Sequence, residues 1–241
     1  MNHLSIFSTI ITFIFAAAVF ARWRYKKPNH LLLWGLGLVF YGLGTLSEAV
    51  MSFTFNPWFL KLWYLTGAML TAAWLGQGTV YLLVRKRVVA DFLMILLTIA
   101  SLVSLALIIM SPVTAAASGY KINLPASVQY KEILERNGFI IFLTILLNVY
   151  GTVTLVGGAI YSAFLFWRKS VLANRMFGNL LIAGGALMPA MAGSFVKAGL
   201  VDWLYLSEFL GVVLMYGGFT LATSTRPAED RIKASPASSG S

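Results

Sequence analysis

Long apolar runs alternate with short polar connections along this chain. Each run contains about the 20 residues that a helix needs to cross a bilayer. Barrel strands would be about 10 residues long and would alternate in polarity, and these runs do not alternate. The pattern therefore predicts an all-α, polytopic membrane protein with a seven-transmembrane-helix bundle. The predicted spans are Leu4–Ala21, Leu31–Met51, Trp58–Val84, Phe92–Met110, Phe139–Trp167, Arg175–Val196 and Trp203–Thr223.

One connection, Ser111–Gly138, is much longer than the others. Its second half, Ser127–Arg136, predicts a short helix that stops at Asn137 and Gly138. This helix is expected either to lie on the bilayer surface or to act as a lid over an outer cavity. Residues 1–223 are then one transmembrane domain, and the polar, Ser- and Pro-rich residues 224–241 are expected to form a disordered cytoplasmic tail.

Composition supports a membrane protein and excludes several kinds of site. The chain is 59% hydrophobic and 11% charged, whereas soluble domains are about 45–50% apolar and about 25% charged. Without cysteine there is no disulfide framework and no thiolate metal site, and the two histidines, His3 and His30, offer little for a histidine site. No cofactor or metal is expected, and the absence of a catalytic motif favours a protein that is not an enzyme.

The net charge of +10 is distributed unevenly between the two sides of the predicted bundle. Thirteen basic residues fall on the side of the C-terminus and five on the other side. Because basic loops mark the cytoplasmic side, this predicts an N-terminus outside and a C-terminus inside. The charge thus indicates orientation rather than nucleic-acid binding. Expected partners are membrane lipids, another membrane protein or a second copy, in the cytoplasmic membrane of a bacterium or archaeon.

A displacement of 141 residues aligns the two ends of the chain. It places Gly37 on Gly178 and Gly44 on Gly185. The spans would then form a parallel 3+1+3 repeat with the fourth span as the linker, an arrangement that small transporters use. Small residues on such helices permit close packing, so helix contacts are expected at Gly37, Gly44, Gly185 and Gly184.

Two carboxylates lie inside predicted spans, both toward the outer side. Glu48 shares a helical face with Tyr41, and Glu208 shares one with Tyr205. Charged groups in a membrane are costly, so they are candidates for a function. The pair is expected either to form a ligand or ion site in a shared outer cavity, or to be neutralised by the possible ion-pair partners Lys61 and Lys197.

Other polar residues lie deeper in the spans. Trp74, Gln77 and Tyr81 follow one face of the third span, and Asn148 lies near the middle of the fifth. Such side chains either hydrogen-bond to a neighbouring helix or line a ligand pocket. Pro189 lies inside the sixth span and predicts a kink, which is either a hinge or a static feature.

The stretch Arg22–Arg87 combines a basic first loop, a span rich in Gly and aromatic residues, and a third span ending in Val84, Arg85, Lys86 and Arg87. It resembles the seven-helix membrane sensor regions of bacterial histidine kinases, without the kinase module. The resemblance implies ligand or lipid sensing with output through a partner, and it assigns no functional residue.

Two functions follow from these observations. The first is a receptor-like sensor or accessory interaction subunit. The alternative is a small secondary transporter or channel with an outer-side carboxylate site. A continuous polar cavity would favour transport, and a dry, tightly packed interior would favour the first function.

Overall fold

The computed structural model describes residues 3–168, 173–197 and 201–224. The described chain is helical, and a single isolated β-bridge joins Val113 to Leu134. The predicted tail lies outside the described residues, apart from Ser224. The helices are α1 (His3–Lys26), α2 (Asn29–Met51), α3 (57–83), α4 (Arg87–Met110), α5 (Ala126–Ile133), α6 (Gly138–Arg168), α7 (Ala173–Lys197) and α8 (Val201–Thr223).

Among the described residues, five helices are long and apolar enough to cross a membrane: α1, α2, α4, α6 and α8. This finding supports the prediction of an integral membrane protein. Helices α3 and α7 cover the third and sixth predicted spans. Their crossing of the bilayer, and with it the count of seven, stays a prediction.

Two helices contain π-helical segments. In α3, Tyr64–Leu70 lies between the α-helical stretches Pro57–Trp63 and Thr71–Leu83. In α6, Val153–Gly157 interrupts the helix in the same way. The wider turn displaces the regular backbone hydrogen bonds and leaves carbonyl groups for other donors, which is why such segments recur at functional sites.

Six helices form a ring in which α1, α2, α3, α6, α7 and α8 each contact the next, and α8 contacts α1. Helix α4 lies outside the ring against α3 and α6. Its outer face exposes Phe92, Ile95, Ile99 and Leu102, as expected for a helix that faces lipid.

The core of the ring is apolar. Side chains from all six helices meet there, and a cavity of about 30 Å³ lies among the described residues. Because its lining is apolar, a water molecule in it would lack hydrogen-bond partners. The cavity is lined by Phe15, Val19, Trp34, Leu38, Leu75, Leu155, Ile182, Met215 and Phe219.

The long connection folds over one end of the bundle, which we call the loop end. The predicted helix Ser127–Arg136 instead spans Ala126–Ile133. It ends early because Leu134 adopts an extended conformation and pairs with Val113, while the amide of Thr114 donates to the carbonyl of Ile133 at 2.9 Å. Ala126 and Ile133 are buried in a cluster with residues of α3, so the position of α5 favours the lid interpretation.

Glycines set the closest contacts between helices. A Cβ at Gly44 would lie 2.8 Å from the Cα of Gly67 in α3, and a Cβ at Gly185 would lie 2.6 Å from the carbonyl oxygen of Gly211 in α8. The expectation for Gly184 is wrong, because a Cβ there would meet nothing within 4 Å. Adjacent helical residues point about 100° apart, so only one of the two can face α8.

We expect Gly185→Ala to destabilise the protein and Gly184→Ala to leave it unchanged or slightly stabilised. The first methyl group has no space against the α8 backbone, and overpacking of this kind costs about 1–3 kcal/mol. The second gains helix propensity without a clash. Thermal unfolding of both variants in detergent tests this. Equal melting temperatures would show that α7 does not pack on α8 through Gly185.

Candidate functional site

Glu48 lies in the last turn of α2 at the loop end, and only 3% of its surface is exposed. Its Oε1 accepts a hydrogen bond of 3.2 Å from the backbone amide of Ala126, the first residue of α5. The side chains of Trp63 and Tyr205 also donate to its carboxylate. Helices α3, α5 and α8 therefore each contribute a donor to Glu48.

Glu208 lies on α8 close enough to Glu48 for their charges to interact directly. Its Oε2 is shielded from solvent and has no hydrogen-bond partner in the described part of the chain. The hydroxyl of Tyr41 donates to the backbone carbonyl of Glu208 at 3.0 Å, which joins α2 to α8 here. We call Glu48, Glu208, Tyr41, Trp63 and Tyr205 the carboxylate site.

The expected lysine partner on α3 does not reach the carboxylate site. The ammonium group of Lys61 donates to the carbonyl of Ile109 in α4 at 2.8 Å and lies 5.2 Å from the centre of the Trp58 ring. The first turns of α3 thus direct this side chain toward α4, and the expectation of a Lys61 ion pair is wrong. The side chain of Lys197 lies outside the described part of the structure.

The long connection contributes aromatic rings beside the carboxylate site. Tyr120 packs on Phe55 with ring centres 4.6 Å apart. Burial, and then the negative charge of Glu48, raise the pKa of Tyr120 to about 12, so its hydroxyl is neutral at physiological pH. Tyr120 thus adds a neutral hydroxyl at the edge of the site.

Helix α5 is held on the bundle by an aromatic cluster. Tyr130 lies 5.4 Å from the ring centres of both Trp63 and Tyr64. The guanidinium of Arg136 lies 4.6 Å from the Tyr130 ring centre, within cation–π distance. Burial is the largest cause that raises the pKa of Tyr130. Because Trp63 also donates to Glu48, the same residue supports α5 and the carboxylate site.

The deep polar residues make contacts between helices. Gln77 is fully buried, donates to the carbonyl of Ala90 in α4 at 2.8 Å and accepts from the hydroxyl of Tyr150 in α6. Asn148 in α6 donates to the carbonyl of Ala68 at 2.6 Å. Ala68 lies in the π-helical segment of α3, so the amide supplies a donor where the backbone pattern is displaced.

The other two residues of this face bond to α4. The indole of Trp74 donates to the hydroxyl of Ser101 at 3.1 Å, and the hydroxyl of Tyr81 donates to the carboxylate of Asp91 at 2.6 Å. These contacts favour the helix-packing interpretation of Trp74, Gln77, Tyr81 and Asn148 over the ligand pocket. The sequence could not identify Asp91 or Ser101 as partners, since neither belongs to a periodic polar face.

Pro189 lies inside α7, which continues through it to Lys197. A Cβ at Gly211 in α8 would lie 2.9 Å from the Cδ of Pro189, so the proline packs closely on α8. Gly211 is three residues beyond Glu208 on the same helix. The hinge stays a prediction, and its place would link any movement of α7 to the helix that carries Glu208.

The carboxylate site was only partly predictable. The sequence predicted that Tyr41 and Glu48 share one face of α2 and that Tyr205 and Glu208 share one face of α8. Trp63 of α3 and the amide of Ala126 in α5 reach the carboxylate site because of the way these helices pack, which the sequence did not predict. Within the described residues no group of three or more His, Cys, Asp or Glu comes together. The available ligands are thus two carboxylates and tyrosine hydroxyls.

We expect Gln77→Leu to lower the free energy of unfolding in detergent. The substitution leaves the Tyr150 hydroxyl and the Ala90 carbonyl without partners, and each interhelical hydrogen bond in a membrane protein contributes about 0.6–1.7 kcal/mol. Thr220→Val is the control, because Thr220 is exposed and bonds only within its own helix. If Gln77→Leu were as stable as this control, the ligand-pocket interpretation of Gln77 would be favoured again.

Comparison of the chain with protein-family models, with curated proteins and with solved structures gave no match. No relative therefore carries a function over to this chain. Its function has to be argued from the carboxylate site and from the packing of the interior.

Proposed function

We propose that this chain is a seven-helix integral membrane protein with its N-terminus outside and its C-terminus inside, acting as a receptor-like sensor or accessory interaction subunit. The observation that carries this proposal is the unequal distribution of polar groups inside the bundle. The carboxylate site lies at the loop end under α5, and a cluster of apolar side chains from all six helices of the ring lies deeper, where the buried threonines Thr12, Thr45 and Thr79 hydrogen-bond to carbonyl groups of their own helices.

The apolar interior argues against a path through the protein. Val19 and Val212 are completely buried, and Leu38 is 1% exposed. They belong to the core that lies between the carboxylate site and the opposite end. Gln77 and Asn148 are engaged with neighbouring helices and leave this core apolar. A ligand that reaches Glu48 and Glu208 from the loop end would bind there without crossing, which is the behaviour of a receptor.

The packing of α3 and α7 supports the proposal that each of these helices crosses the bilayer. Helix α3 contacts α2, α4 and α6, and α7 packs along α8 through Gly178 and Gly185. Helices enclosed in this way between apolar neighbours have the same depth as those neighbours. With seven crossings, the basic residues Arg22, Arg85, Arg168 and Arg175 gather at the end opposite α5, which the positive-inside rule assigns to the cytoplasm.

The contacts of the ring favour the alternative of a small secondary transporter. Under the 3+1+3 repeat, the contact of α1 with α2 corresponds to that of α6 with α7, and α2 with α3 to α7 with α8. The contact of α1 with α8 corresponds to that of α6 with α3, and all of these contacts occur. Gly44 and Gly185, which the repeat aligns, each pack on the next helix. Small transporters use repeats of this kind, and sensing remains favoured because of the apolar cluster beyond the carboxylate site.

We expect alkaline phosphatase to be inactive when fused after Thr223 and active when inserted after Gly119 in the long connection. The enzyme needs an oxidising compartment, and the basic loops place Thr223 in the cytoplasm. Colony and membrane-fraction assays of both fusions check this, with expression levels measured by immunoblot. High activity after Thr223 would contradict the proposed orientation.

We expect the purified protein in liposomes to carry no proton, sodium or potassium flux above that of protein-free vesicles. The cluster of apolar side chains beyond the carboxylate site offers a permeating ion no ligands there. Flux is measured with entrapped fluorescent indicators under an imposed gradient, and a Glu48→Gln sample is run in parallel. Flux in the wild type that Glu48→Gln abolishes would replace the receptor function by the transporter alternative.

A further inference from the structure

We propose that the carboxylate site binds one monovalent cation, either a proton or an alkali metal ion, between Glu48 and Glu208, and that α5 closes over it. This inference deepens the proposed sensing function, on which it rests, by naming the class of ligand. The geometry that carries it is a pair of neighbouring buried carboxylates in which one member has donors and the other has none.

The two carboxylates differ in their hydrogen bonds. Glu48 accepts from the Ala126 amide and has the Trp63 and Tyr205 side chains as further donors. These three donors satisfy a carboxylate inside protein. Oε2 of Glu208 is shielded from solvent, yet it has no hydrogen-bond partner among the described residues. A buried carboxylate oxygen without a donor is destabilising, so Glu208 is the position that gains most from a bound positive charge.

Among the residues that the structure describes, no basic side chain supplies this positive charge. Lys61 is bonded to Ile109 in α4, and Arg136 lies over the rings of Tyr64 and Tyr130. Two ionised carboxylates side by side in a medium of low dielectric would repel each other strongly. A single cation placed between them removes most of this repulsion and supplies the partner that Glu208 lacks.

The number of ligands limits the charge of the cation. Divalent ions are held by several carboxylates or by sets of His and Cys, and the described residues contain no such group of three. Here the remaining oxygens are neutral: the hydroxyls of Tyr41, Tyr205 and Tyr120 face the pair. Two carboxylates, one of them already satisfied by three donors, match one positive charge.

Helix α5 links this site to the outer surface. Its first amide donates to Glu48, so the negative charge of Glu48 stabilises the N-terminal end of α5. A cation between the two carboxylates removes their repulsion and so fixes Glu48 beneath that amide. Occupancy of the site is thereby coupled to how firmly α5 is held on the bundle, which gives a sensor an outward-facing output.

The experiment is thermal unfolding of the detergent-purified full chain at mildly alkaline pH in choline chloride. Replacing choline by sodium or potassium at the same ionic strength, or lowering the pH to mildly acidic values, supplies the candidate cations. We expect one of these changes to raise the melting temperature by at least about 2–4 °C, the shift that roughly 1 kcal/mol produces in a chain of this size. The effective change identifies the cation.

Matched variants locate the effect. E208Q places an uncharged amide at the site, so we expect its melting temperature to be independent of the added cation. E135Q removes an exposed carboxylate of the same connection and should respond as the wild type does. Loss of the response in E135Q as well, or an equal response in wild type and E208Q, overturns the proposal.

Infrared difference spectroscopy of the wild type gives a second test that needs no variant. A bound proton produces a carboxylic acid C=O band when the pH is lowered, and a bound alkali ion shifts the carboxylate bands when choline is replaced. A wild type that shows neither change overturns the cation site even if E208Q fails to fold. The liposome flux assay distinguishes sensing from transport without reference to the cation site. Failure of the proposed function can therefore be told apart from failure of the cation proposal.

Discussion

The structure depends on the need of every polar group inside a membrane bundle to find its partner within the protein, since lipid offers none. Helix formation pairs most N–H and C=O groups of the backbone. Side chains then bond to the backbone groups that the helices leave without a partner. Asn148 donates to a carbonyl in the π-helical segment of α3, and Gln77 bridges α4 and α6. These contacts hold α4 and α6 against α3 at positions where apolar packing alone would not define a register.

Among the described residues, six shielded side-chain atoms have no hydrogen-bond partner, and Oε2 of Glu208 is the one that belongs to a carboxylate. A buried carboxylate oxygen without a donor is destabilising, which is why Glu208 carries the proposal of a bound cation. The site lies beside the one helix of the long connection, and the core beyond it is apolar. A polar site at one end and an apolar cluster beyond it support the proposed sensing function, while the contacts of the ring keep transport as the alternative.

Close contact between helices is the second requirement, because apolar side chains gain little by leaving lipid for one another. Gly44 and Gly185 bring α2 onto α3 and α7 onto α8, so that dispersion forces act over the whole length of each pair. Helix α4 has no such contact and lies outside the ring with an apolar face exposed. The distribution of small residues thus separates the helices of the ring from the one that flanks it.

The sequence by itself determined the helical class, the position of the apolar spans and the faces that carry Glu48 and Glu208, because helical periodicity acts along a single chain segment. For Gln77 and Asn148 it left two interpretations open, hydrogen bonds to neighbouring helices or a ligand pocket. Only the tertiary structure decided that Lys61 turns to α4, that Gly184 points away from α8, and that the Ala126 amide reaches Glu48. Those outcomes depend on how each helix is rotated and which helix lies beside it, and both are set by packing between segments far apart in the chain.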